Sequence, residues 1–216
     1  MAILYQDDSF GRVGLAGVVK ALDRRGMALI AEGTYMRNTT AVKTAFLDIR
    51  RSRPDAVVMV GAYKPCAKFI TLARQFNLDA RFVNIFFVGS AALAKELSAA
   101  GEGVIVSQVV PLPDQREIPL IARYPDAVLA SNPDTRPGFV SLEGYLIGRL
   151  VVKALRLAGP DITRDKLLTT IYEVGTFDLD GLTLVFGPDD NQGLDRVFMT
   201  VIGPQGRFHR VGDPHE

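Results

Sequence analysis

Residues that carry reactive chemistry are scarce in this 216-residue chain. It has one cysteine, Cys66, which excludes an internal disulfide. Its two histidines, His209 and His215, lie close to the end without the further ligands a metal site needs. An excess of either charge is also missing. Lys and Arg number 25 against 24 Asp and Glu, a balance that gives no electrostatic footing for nucleic acid or an anionic membrane surface. No apolar run approaches the roughly 18 residues of a membrane span, so direct membrane insertion is not expected. There is no GxSxG elbow for a nucleophilic serine, and the histidines sit too near the end to serve one. What is present is a chain 48% hydrophobic, able to bury a sizeable core and suited to a small ligand, with no cofactor called for. Cys66 is expected to pack as a small apolar residue at the start of its helix.

The organising stretch is RPDAVVMVGAYKPCAKFITLAR, residues 53–74. Its apolar run, 56–60, is too short for a helix and too continuous for a half-exposed strand, and so reads as a central strand of a parallel sheet. Gly61 ends the run, and Pro65 suits the first turn of a helix over 65–76. Further strands are expected at 3–5, 27–33, 82–85 and 104–108. Helices between them are expected from Asp8 or Ser9 to Arg25, from Thr39 or Thr40 to Arg51, and over 91–98. In the first helix the spacing of Val13, Ala16, Gly17, Lys20 and Ala21 predicts the inner face, and Gly26 a left-handed cap. This is the rhythm of consecutive right-handed βαβ units, hence a doubly wound α/β lobe.

The rhythm then stops. Residues 109–113 read as an extended crossover and 118–130 as a helix with Pro125 inside its pattern. The longest helix, 139–158, is apolar on nearly every side, which predicts burial from more than one direction. A helix at 164–174 capped by Thr163 follows, then strands at 176–179, 182–186, 197–202 and 207–211. Residues 109–190 offer helices with almost no sheet of their own.

Three chemistries can be weighed. Gly11, Gly14 and Gly17 with Glu32 have the layout of a dinucleotide site, but they read GxxGxxG without the GxG turn, and helix-to-sheet packing accounts for them more simply. The runs Asp178-Leu179-Asp180-Gly181 and Asp189-Asp190-Asn191 lack the ligand spacing of a calcium loop and read as tight turns. Ligands of open parallel sheets bind beyond the carboxyl ends of the strands. There the chain places Ser9, Phe10, Tyr63, Phe86 and Phe87, candidates for the wall of a small-molecule cleft.

The stretches YQDDSFGRVGLAG, VVMVGAYKPCAKFI, FVNIFFVGSAALAKEL, GEGVIVSQVVP, FVSLEGYLIGRLVVKAL and FGPDDNQG occur in that order. In this the chain resembles the periplasmic solute-binding proteins of branched-chain amino-acid ABC importers, the extracellular ligand-binding receptor family. The resemblance implies the type I periplasmic-binding-protein fold. One doubly wound parallel-sheet lobe would be formed by 1–108 and 194–216, and 109–193 would be the helical remainder of a second, incomplete lobe. It implies a ligand closed between lobes, an ABC permease as partner, and a periplasmic or extracellular location for the full-length protein. Met1 is followed directly by an apolar strand with no charged leader, so the expectation is a chain without its own signal peptide and without the N-terminal sheet on which the helices 139–158 and 164–174 would pack.

Carried over by position, the aromatic residue of the first loop matches Phe10 and the tyrosine after the third strand matches Tyr63. Where amino-acid binders of this kind hold the ligand ammonium with an acid, this chain has Phe86 and Phe87. The resemblance with that departure implies a small solute that is an amino acid or an aromatic or carboxylate relative of one. Crossings between lobes are expected at 108–111 and 192–195. Two other readings compete: a cytoplasmic ligand-sensing regulator of the same fold, and a nucleotide-dependent enzyme built on Gly11, Gly14 and Gly17.

Overall fold

Short apolar runs closed by glycine or polar turns become strands, and the amphipathic stretches between them become helices. In the computed structural model, which describes residues 1–212, the strands are β1 (Ala2–Gln6), β2 (Ala31–Tyr35), β3 (Ala56–Val60), β4 (Arg81–Asn84), β5 (Ile105–Gln108), β6 (Thr176–Asp178), β7 (Thr183–Val185), β8 (Phe198–Ile202) and β9 (Phe208–Arg210). The helices are α1 (Ser9–Asp23), α2 (Lys43–Arg51), α3 (Tyr63–Gln75), α4 (Ser90–Leu97), α5 (Pro119–Ser131), α6 (Phe139–Ala158) and α7 (Arg164–Val174). Two compact units result: Met1–Gln108 with the chain from Phe198 onward, and Val109–Val197.

The first unit is built on a sheet of order β2-β1-β3-β4-β5-β8-β9. Its first five strands are parallel, and β8 and β9 run antiparallel beside β5. The stretch 56–60 is thus the middle strand of the parallel set, in register with β1 (Ala2↔Val57) and β4 (Met59↔Asn84). Because side chains alternate across a strand, Leu4, Val57, Met59, Phe82, Val106 and Ile202 share one face, and all are buried. That core takes in Phe46 and Ile49 of α2, Phe69 and Ile70 of α3, and Leu93 and Leu97 of α4. Edge-to-face ring contacts run from Phe46 to Phe69 (5.8 Å) and on to Phe82 (6.4 Å).

Several local expectations are corrected. The inner face of α1 is Gly11, Gly14, Leu15, Val18 and Leu22; Val13, Ala16, Gly17, Lys20 and Ala21 face solvent. Two glycines set that phase. A Cβ on Gly11 would lie 1.8 Å from the Gln6 carbonyl oxygen, and one on Gly14 would lie 2.5 Å from Cγ1 of Val60, whereas one on Gly17 would meet nothing. The second strand begins at Ala31, not 27, because pairing with β1 starts at Ala2↔Ala31, and it continues to Tyr35. Neither Thr39 nor Thr40 caps α2, which starts after Val42 without a side-chain cap. The Thr39 hydroxyl instead donates to the Met36 carbonyl at 2.7 Å, closing a local turn. Asp8 caps α1 and Thr163 caps α7 through their side chains, and Gly26 is left-handed at φ 64°.

The second unit holds α5, α6, α7 and the two-stranded antiparallel sheet β6-β7. Tyr124 of α5 is fully buried, and its hydroxyl accepts from the Gly138 amide at 2.8 Å, holding the start of α6. Helix α6 is not buried from several directions. Phe139, Leu142, Leu146, Ala154 and Ala158 are covered, while Val140, Ile147, Val151, Val152, Leu155 and Leu157 are exposed. Helix α7 has no buried residue.

Candidate functional site

The carboxyl ends of β1, β3 and β4 carry the five predicted site residues, each placed by the helix that follows its strand. After β1 the Asp8 side chain accepts the Gly11 amide (3.1 Å), and this bond holds its carboxyl below the ordinary value. Asp7 pairs with Arg12 at 2.8 Å. Both acids of this loop are therefore engaged. Ser9 is the first residue of α1 and exposed; Phe10 is the second and half-buried.

After β3 the turn is tighter than the sequence indicates, because α3 begins at Tyr63 and takes Pro65 into its first turn. The turn is fixed from β2. Tyr35 is buried, and its hydroxyl oxygen accepts the Ala62 amide at 3.2 Å. A Cβ on Gly61 would lie 2.1 Å from that oxygen, so glycine is required by close approach. Burial pushes the Tyr35 phenol up, which keeps it protonated. Tyr63 packs half-buried on the main core, with Lys64 Nζ 5.9 Å from its ring centre. Three residues on, Cys66 is fully buried, and desolvation pushes its thiol up to about 12.

After β4 the chain makes a single 3-10 turn, Phe86–Val88, closed by Gly89 at φ 80°, and enters α4. Phe86 is half-buried, and Phe87 is 70% exposed. The Phe87 ring meets the Phe10 ring with centroids 4.9 Å apart, tilted by 42°. Two residues 77 positions apart in sequence (87 minus 10) are thus joined across the end of the intervening strand β3. Phe10 and Phe87 are the pair of candidates brought into ring contact; Ser9, Tyr63 and Phe86 stand on the same strand ends.

The competing chemistries lose their residues to other tasks. Gly11 lies against the Gln6 carbonyl and gives its amide to Asp8, and Gly14 packs on Val60, so these two glycines serve close packing of α1 on the sheet. Asp180 pairs with Arg123 and Arg149, and Asp178 Oδ1 accepts the Gly181 amide at 3.0 Å. Among the described residues no three His, Cys, Asp or Glu side chains gather as metal ligands. His209 lies on β9 opposite Val201, and His215 lies outside the described residues.

Two features escaped sequence reasoning. One is Tyr35, for which Gly61 was the only signal. The other is a buried polar cluster of Ser90, Gln108 and Thr200, invisible because its members are far apart in the chain.

A profile of the family described as periplasmic binding protein matches residues 1–207. The chain belongs to the periplasmic binding protein family. Among solved structures, a possible leucine/isoleucine/valine-binding protein from Rhodopirellula baltica SH 1 is 34% identical, with a TM-score of 0.91 over 98% of this chain and 58% of that one. A putative branched-chain amino acid ABC transporter protein from Rhodospirillum rubrum (18% identity, TM-score 0.79, 97% of this chain and 60% of that one) shares the fold. So does a fatty acid ABC transporter substrate-binding protein from Thermomonospora curvata (17%, 0.84, 97% and 55%). This periplasmic binding protein chain therefore spans roughly three-fifths of the length of these neighbours. No curated protein matches it. The α/β fold with its mostly parallel sheet is that of type I members of the family, whose members are solute-binding receptors. Among the described residues no helix is long and apolar enough to cross a membrane.

Proposed function

We propose that the chain is part of the ligand-binding component of an ABC importer, a non-enzymatic receptor acting in the periplasm or outside the cell with a membrane permease as partner. In this reading residues 1–108 with 194–216 are one lobe of the receptor, and 109–193 belong to the other. The loops after β1, β3 and β4 then form one wall of the solute cleft. The observation that carries it is the Phe10–Phe87 contact. A 70% exposed phenylalanine in tilted contact with a second aromatic ring at the carboxyl end of a parallel sheet is an apolar platform at the place where such sheets bind ligands. Ser9, Tyr63 and Phe86 extend that wall.

The ligand is an amino acid or a related small solute with an apolar or aromatic body. No acid stands in the turn after β4, where Phe86 and Phe87 lie. Asp7 is paired with Arg12, and Asp8, although charged, turns its oxygens to the Gly11 and Gln6 amides, so the platform itself carries no carboxylate for an ammonium group. A solute with an aromatic or aliphatic body and no ammonium group fits the platform better than a free amino acid does. Binding closes the receptor by hinge motion, and the permease reads the closed form.

The test is calorimetric titration of a protein carrying both complete lobes with leucine, phenylalanine, phenylacetate and octanoate. Binding of at least one solute is expected, with Phe87→Ala and Tyr63→Ala each weakening it by about 1–3 kcal/mol. Unchanged affinity in both variants would remove the wall assignment.

A further inference from the structure

Among the described residues, four polar side chains are buried: Asn84, Ser90, Gln108 and Thr200. All belong to the first unit. The register Asn84↔Val106↔Thr200 places Asn84 and Thr200 on the same face of neighbouring strands as Val106, and Gln108, two residues further along β5, shares that face. Gln108 Nε2 donates to Ser90 Oγ (3.0 Å) and to Thr200 Oγ1 (3.2 Å). The Ser90 hydroxyl donates to Gln108 Oε1 (3.2 Å), and Thr200 donates to the Val106 carbonyl (2.8 Å). Both amide protons and both hydroxyl protons are thereby used in a buried interior, where such a network is directional and breaking one member leaves another unsatisfied.

What the network joins gives it meaning. Gln108 is the last residue before the chain leaves the first unit, and Thr200 lies on β8, the strand on which it returns. Ser90 is the first residue of α4, one residue beyond the Gly89 that closes the Phe86–Val88 turn. No side chain caps α4, so Gln108 supplies the side-chain anchor at that helix start. Apolar residues would fill this volume equally well without fixing the three segments to one another.

We propose that Gln108 is a positioning residue: its carboxamide locks the leaving strand, the returning strand and the Phe86–Phe87 turn together, so that the aromatic wall is held in place by the crossover itself. The link to ligand binding rests on the wall reading given above; the mechanical link between β8 and the turn does not. Displacement of either crossing strand is thus transmitted through Gln108 to the start of α4 and the turn before it. A Gln108→Glu change would not substitute, since a carboxylate lacks both donated protons and would bury a charge.

The experiment is hydrogen exchange by mass spectrometry on the 216-residue chain without any ligand, comparing wild type with Thr200→Val and Thr200→Ser. Thr200→Val keeps the volume and removes the hydroxyl. It is expected to speed exchange about tenfold over residues 86–93, although Thr200 bonds none of them, and to leave β1 and β2 unchanged. Thr200→Ser, which keeps the hydroxyl, is expected to restore the wild-type rate there. Faster exchange confined to β8 and β9, or a uniform increase over the unit, would overturn the proposal. Gln108→Met should reproduce the Thr200→Val pattern; if Gln108→Met does not fold, the Thr200 pair decides alone. Titration of a protein carrying both lobes with leucine, phenylalanine, phenylacetate and octanoate then separates the two claims: binding of none of them by wild type would sink the wall reading and leave the exchange result standing.

Discussion

The two units bury their apolar residues to very different degrees. In the first, one sheet face and three helices close on each other, and Leu4, Met59, Phe69 and Phe82 are fully buried. In the second, α6 is at least as apolar, yet Val140, Ile147, Val151, Val152, Leu155 and Leu157 remain exposed, and a Cβ on Gly144 or Gly148 would meet nothing within 4 Å. The difference teaches that apolar composition specifies a helix's need for a partner and not the partner itself. In the first unit the sheet is there to meet it; in the second only the short β6-β7 ribbon is.

The contrast can be broken most directly by truncation. Phe69→Ala removes a ring clasped by Phe46 and Phe82 and is expected to cost about 3–5 kcal/mol in urea unfolding, whereas Ile147→Ala on exposed α6 should stay within about 0.5 kcal/mol. Equal effects would mean that α6 is covered. A second pair works within one helix. Gly11→Ala forces a methyl onto the Gln6 carbonyl and should destabilise by about 1–3 kcal/mol, while Gly17→Ala, in open space, should stabilise by up to about 1 kcal/mol in the same assay. The smallest effect is electrostatic. Asp8 has its carboxyl held below its ordinary 3.8 by the Gly11 amide, so its capping contribution is complete above that value and is lost as pH falls through the lower folded value. Amide protection in the first turn of α1, with the intrinsic pH dependence of exchange removed, should therefore fall as pH drops below the ordinary carboxylate value, and Asp8→Asn, a neutral cap, should remove that dependence.

Much of this was legible because its causes are local. The strand 56–60 and the helices 139–158 and 164–174 were read with their observed bounds, since apolar runs and the Thr163 cap act within a few residues. The strand-end position of the five candidate residues followed from the βαβ rhythm. Other features are decided by contacts distant in sequence. The rotation of α1 depends on Val60, the start of β2 depends on Ala2, and the turn before Tyr63 depends on Tyr35, 27 residues away in its hydrogen bond to Ala62. None of these partners can be inferred from a helical or alternating pattern.

By itself, then, the sequence determined the order of elements, the parallel α/β class and the resemblance that the family match supports. Periodicity, glycine and capping residues carry that information along the chain. Only the tertiary structure decided which face of α1 is inside, that Phe10 and Phe87 meet, and that Gln108 is bound to Ser90 and Thr200. Each of those is a contact between segments whose distance and register are set by the sheet.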